Sequence, residues 1–217
     1  VTTDAAGNAA TADTTGGFTL DTAAPDALTV ALTEDTATAA DNISSNGAVT
    51  VTGSESGATV EYSTDGGSTW GSSFTASVGG NNVTVRQTDT AGNTSATTNL
   101  IFTLDTSAAA PTVVLATDSG SASDDLITND GSLTVTGETG ATVEYSIDSG
   151  TSWGSSFAAT EGDNTVQVRQ TDVAGNVSDA TTLTFTLDTT IAAPTVALTT
   201  DAGSSASDAI TNDGTLS

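Results

Sequence analysis

Across 217 residues the chain carries 27 acidic side chains against two basic ones, both arginines, and it has no histidine, cysteine or methionine. That removes the imidazole base, the thiolate nucleophile, the lysine Schiff base and the soft zinc or iron site, and with them most enzyme chemistry. A formal net charge of −25 argues against nucleic acid or anionic lipid as a partner, and an excess of hard carboxylates points to a hard cation, calcium above all outside cells.

Taken in chain order, the elements repeat. Residues 1–21 hold Asp4-x-Ala-Gly-Asn8 and close on Phe18-Thr-Leu-Asp21; they are expected to be the C-terminal part of a preceding module. A complete module is expected over 22–105. It opens on Pro25 and passes an acidic stretch with Asp35, Asp41, Asn42 and Asn46. Period-two alternation follows in Val49-Thr-Val-Thr52 and Val60-Glu-Tyr62, then a hairpin signal at Asp65-Gly-Gly67. After Trp70 and Phe74, Gly79-Gly-Asn-Asn82 reads as a turn before the strand Val83-Thr-Val85. Asp89-x-Ala-Gly-Asn93 leads to a last strand, Leu100-Ile-Phe-Thr-Leu104, ending at Asp105.

The same order recurs over 106–188. Thr59-Val-Glu-Tyr-Ser63 returns at Thr142, Trp70-Gly-Ser-Ser-Phe74 at Trp153 and Val85-Arg-Gln-Thr-Asp89 at Val168, each shift being 83 residues. Pro111 opens this second module, its acidic stretch holds Asp118, Asp124, Asp125, Asn129 and Asp130, and it ends at Asp188. Residues 189–217, with Pro194, Asp201, Asp208, Asn212 and Asp213, are expected to be the N-terminal part of a following module. Starting at Val1 with no basic and then apolar leader, the chain is expected to be a window from a longer array.

About seven short strands per module, with turns every eight to twelve positions, argue an all-β fold of tandem Ig-like β-sandwiches. A period near 83 is too long for a β-solenoid. The apolar share of 35 per cent is patterned and charged residues make up only 13 per cent, so the chain reads as folded rather than disordered. No run reaches the 18 apolar residues of a membrane span. Without cysteine there is no disulfide framework to stabilise it. Val60, Tyr62, Trp70, Val83, Val85, Phe102 and Leu104, and the same positions one module on, are the expected core.

Few side chains could carry chemistry. Trp70 and Trp153 read either as core filler or as a sugar-stacking platform, with the core reading favoured. Arg86 and Arg169 are expected to pair with Glu61 and Glu144 rather than to grip a ligand. Carboxylate pairs for glycoside hydrolysis would have to recur in every module, so the chain is not read as an enzyme. Calcium takes six to eight oxygens, which clustered Asp and Asn side chains supply with turn carbonyls. With Ig connectivity, the acidic stretch and the end of the last strand share one pole and the Asp-x-Ala-Gly-Asn turn the other. A short linker would therefore bring Asp105 near Asp172 and Asn176. Asp and Asn also suit turns for their own sake, but several in one loop of a chain with almost no balancing cation favour calcium, with Asp35, Asp41, Asp118, Asp124, Asp125 and Asp130 of the acidic stretches as candidate ligands.

Asp118-x5-Asp124-x2-Ile127-Thr-Asn-Asp-Gly131, Gly137-x2-Gly-Ala-Thr-Val143, Asp172-x-Ala-Gly-Asn176 and Leu187-Asp-Thr-x4-Pro194 together resemble the tandem bacterial Ig-like domains of giant RTX-type and Bap-like surface adhesins. The resemblance spans the whole chain. It implies extracellular extender arrays at a bacterial surface, often stiffened by calcium at module junctions. It also implies Asp21, Asp105 and Asp188 as linker ligands, with Asp89, Asn93, Asp172 and Asn176 from the turns. The Gly-Gly-x-Gly-x-Asp nonapeptide of RTX segments is absent here, so secretion signal and adhesive tip are expected elsewhere. Neighbouring modules of the same chain are then the expected partners. Identical chains in a surface filament and a carbohydrate-binding array are the competing readings.

Overall fold

The computed structural model describes residues 6, 19–120, 122–201, 204, 205, 207 and 209–215. The fold is all-β, with twelve strands and no helix among the described residues. The chain divides into two compact units, one of 1–112, 136–144 and 168–181, the other of 113–135, 145–167 and 182–217.

The first unit holds strands β1 (Thr29–Leu32), β2 (Ile43–Ser44), β3 (Val49–Thr52), β4 (Thr59–Ser63), β5 (Gly79–Thr88) and β6 (Thr98–Leu104). Antiparallel β1 and β3 make one sheet, and β2-β6-β5-β4 make the other. Alternation along β5 turns Val83 and Val85 inward, both fully buried, to meet Leu28, Val30, Phe102 and Leu104 between the sheets. Burying one such side chain is worth about 1.5–3 kcal/mol, so this small cluster is the main adhesive of the sandwich. Phe74 closes its edge, ring to edge on Phe102 at 6.2 Å. Gly47 is required beside it, because a Cβ there would stand 2.6 Å from the Ala76 methyl.

The short parallel pairing of β2 with the end of β6, Ile43 opposite Thr103 and Ser44 opposite Leu104, sets the acidic loop at 33–42 beside Asp105. Asp105 donates its N–H to Ser44 O at 3.0 Å. β7 (Thr112–Leu115), β8 (Ile127–Thr128), β9 (Leu133–Thr136), β10 (Thr142–Ser146), β11 (Gly162–Thr171) and β12 (Thr181–Leu187) repeat the order, with sheets β7-β9 and β10-β11-β12-β8. In the second unit Phe157 packs edge-on against the buried Phe185 at 6.2 Å.

Three details depart from the sequence reading. Each repeat has six named strands; where a seventh is expected, the chain after Trp70 makes one antiparallel bridge, Gly71 to Tyr62. Gly79-Gly-Asn-Asn82 is not a turn but the start of β5. The buried Asn81 amide takes over the turn's bonds, donating to Ser77 O and Gly79 O and accepting from Ser77 N, which frees the backbone to pair with β6. Trp70 is half-buried rather than core. It lies under Arg86, whose Cζ stands 4.0 Å from the ring centroid, a cation–π contact worth about 0.5–1 kcal/mol.

Candidate metal site

The acidic loops are built on one plan. The first aspartate, Asp35, folds the loop back on itself, its Oδ2 accepting from Ala40 N at 2.6 Å and Asn42 N at 3.4 Å. Asp118 Oδ2 accepts from Leu126 N at 3.2 Å, and Asp201 Oδ2 from Ala209 N at 3.2 Å. Each loop ends on a residue in the left-handed region, Asn42, Leu126 or Ala209, with φ of 59°, 59° and 57°. For Leu and Ala that conformation costs about 1–2 kcal/mol, so the loop closure is held against strain. The second loop is one residue longer than the first, Asp118 to Leu126 against Asp35 to Asn42; the loop after β9 is one residue shorter, which restores the 83-residue shift.

In all three loops the other oxygen of the first aspartate is left over. Oδ1 of Asp35, of Asp118 and of Asp201 is buried and has no hydrogen-bond partner. A carboxylate oxygen sealed from water without a donor is costly unless a cation compensates it. The residues therefore fit a hard cation at one point per loop, with the first aspartate as anchor. Among the described residues no three acidic groups converge closely enough to hold a metal between them. The rest of a coordination shell would come from carbonyl and hydroxyl oxygens.

The other expected ligands are occupied locally. Asp41 Oδ1 accepts from Ile43 N at 2.8 Å and Asp125 Oδ1 from Ile127 N at 3.1 Å. Asp124 is exposed. Asp130 Oδ1 accepts from Ser132 N at 3.0 Å, and the Ser132 side chain and N–H hold its carboxyl below the usual range. Asp21, Asp105 and Asp188 each accept from the N–H two residues on, Ala23, Ser107 and Thr190. Asp89 accepts from Ala91 N and Asn93 N, and the Asn93 amide, at 2.9 Å, holds its carboxyl low. Asp172 is bound by Asn176 in the same way, at 2.8 Å to both N and Nδ2. Asp4, Asn8 and Asp208 lie outside the described residues.

One expected meeting is present in the first unit. Asn176 Nδ2 donates to the Asp105 backbone carbonyl at 2.9 Å, and Asn93 Nδ2 to the Asp21 carbonyl at 3.3 Å. The meeting is through the peptide oxygen; the Asp105 carboxylate faces its own linker. Arg86 Nε pairs with Glu61 at 2.9 Å and Arg169 Nε with Glu144 at 3.0 Å, as the sequence suggests.

Two sets of residues are not singled out by the sequence. Gln87 and Gln170 are fully buried and tie down the start of each repeat, donating to Asp26 O at 2.8 Å and Ala109 O at 2.7 Å. Their recurrence in Val-Arg-Gln-Thr-Asp was the available signal. Asp65 and Asp148 organise the turn after β4 and β10, and only the Gly-Gly beside Asp65 hinted at it.

Residues 107–189 match the family model of the bacterial Ig-like domain. No curated protein sequence matches the chain. Among solved structures it is similar to the fibronectin(III)-like modules of CbhA from Clostridium thermocellum, at 16% identity over 74% of this chain and 93% of that chain, with a TM-score of 0.35. Over residues 107–189 the chain is therefore similar to a bacterial Ig-like module, in keeping with its all-β sheets.

Proposed function

We propose that the chain is a run of spacer repeats from an extracellular bacterial surface adhesin, with 22–105 and 106–188 as its complete modules. In this reading it carries no catalysis of its own and holds a distant adhesive tip away from the cell. Calcium binds at the acidic loops and stiffens the linkers. The observation that carries the calcium reading is the sealed Oδ1 of Asp35, Asp118 and Asp201, present at the same point of three loops. A single anchoring carboxylate per ion suits the weak sites of extracellular modules, with Kd of about 10⁻⁴–10⁻³ M. Such sites fill outside the cell and stay empty in cytosol, so the chain is pliable during export and stiff afterwards.

A sugar-binding array is less well supported, because Arg86 covers one face of Trp70. Small-angle scattering of the 217-residue chain in calcium and in chelator tests the spacer reading. Calcium is expected to raise the persistence of the chain, and Asp35→Asn to reduce that effect. Equal stiffness in both conditions would refute calcium rigidification.

A further inference from the structure

The turn at 172–176 and its counterpart at 89–93 share Asp-x-Ala-Gly-Asn and the same internal hydrogen bonds, yet their surroundings differ. Ala91 is exposed and Asp89 only partly buried, whereas Ala174 is fully buried and Asp172 is 7% exposed. What covers the later turn lies in the same compact unit: the loop after β1. Thr36 Oγ1 donates to Ala174 O at 2.5 Å, and Asn176 Nδ2 reaches the Asp105 carbonyl. A Cβ on Gly175 would stand 3.4 Å from the Ala37 methyl, an ordinary packing distance, so the loop and the turn are in van der Waals contact there; it is the φ of +89° that favours glycine. Thr36 is itself fixed, since its Oγ1 accepts from Ser45 N at 2.8 Å.

We infer that the Asp-x-Ala-Gly-Asn turn is a docking knob whose partner is the acidic loop and linker carbonyl of the preceding repeat. The clasp is neutral and independent of metal. Its two hydrogen bonds run from a hydroxyl and an amide to peptide carbonyls, so neither calls on a carboxylate or a metal ion. Ser119 stands where Thr36 does, and its Oγ accepts from Asn129 N at 2.8 Å as Thr36 does from Ser45. The second loop thus keeps the hydroxyl a further knob would need. Asp172 acts here by position, shaping the knob through Asn176, while Asn176 also bonds across the clasp.

Hydrogen exchange of the full chain in chelator, read on peptides over 172–178 and 89–95, tests this. Thr36→Val is expected to speed exchange at 172–176 about fivefold, the factor one net hydrogen bond carries. Thr36→Ser should retain the wild-type rate, and β5 peptides report that the sandwich stays folded. Unchanged exchange at 172–176 in a folded Thr36→Val chain would overturn the clasp. So would protection of 172–176 that appears only when calcium is added; the calcium reading would then survive alone. Protection in chelator that Thr36→Val removes establishes the clasp whether or not calcium changes stiffness.

Discussion

Each repeat has two kinds of aspartate loop, and they solve opposite problems. In the turn after β4, Asp65 Oδ1 accepts from Ser63 Oγ at 2.7 Å and Thr69 N at 2.9 Å, and Oδ2 from Thr69 Oγ1 at 2.7 Å. Asp148 is served by Ser146 and Ser152 in the same pattern. Both oxygens are satisfied by the chain itself. In the loop after β1, Asp35 and Asp118 have one oxygen satisfied and one sealed away without a donor. The first arrangement is a complete turn; the second leaves one carboxylate oxygen without a donor, which in the proposed reading a cation completes. Acid content alone does not distinguish them, whereas the donor count does.

The largest expected effect is on calcium-linked stability. A ligand at a hundredfold excess over its Kd adds about 2.7 kcal/mol per site, so calcium should raise the melting temperature clearly. Asp35→Asn with Asp118→Asn should abolish most of that rise. In chelator the same variant should be no less stable than wild type, because it removes a charge from a sealed oxygen. Thermal unfolding followed by circular dichroism reads both. If the variant keeps the full calcium response, the comparison fails at its acidic-loop side.

Asp148→Ala should act the other way. It is expected to lower the melting temperature by the same amount in calcium and in chelator, since its partners Ser146 and Ser152 belong to the turn. A loss seen only with calcium would mean the turn is not self-sufficient.

A smaller effect sharpens the same point through pH. The Ser152 side chain and N–H, then Ser146, pull the Asp148 carboxyl down to about 2. A carboxyl depressed on folding contributes stability above its unfolded value of about 3.9 and loses it as pH falls through the folded value. The calcium-free chain should therefore lose this contribution between about pH 4 and 2. Carboxyl NMR should place Asp148 at the bottom of that window, and titration at an ordinary value would contradict the hydrogen-bond pattern. The smallest effect concerns trypsin. Arg86 and Arg169 sit in β5 and β11, paired with Glu61 and Glu144, so cleavage should be slow in calcium and little faster in chelator. Rapid cutting in calcium would show that these strands open.

The fold was largely legible because period-two alternation is a direct image of a half-buried sheet: Val83 and Val85 point inward as their spacing requires. Composition misled where a side chain replaced backbone bonds, as Asn81 does at the start of β5. Trp70 was misplaced for a related reason. Its size suits a core, but Arg86 gives it a partner on the outside of the sheet. The candidate site was half legible. Clustering of aspartates named Asp35 and Asp118, and the linker geometry brought Asp105 to Asn176. Which oxygens are free depends on donors five to eight residues away, such as Ala40 and Leu126, and no spacing rule shows that.

Calorimetric titration of the chain with calcium tests the central claim most directly. Binding in the range of about 10⁻⁴–10⁻³ M is expected, with the stoichiometry falling by one ion for each of Asp35→Asn, Asp118→Asn and Asp201→Asn, and unchanged by Asp65→Asn or Asp148→Asn. No binding at millimolar calcium, or equal losses from both sets of variants, would contradict it.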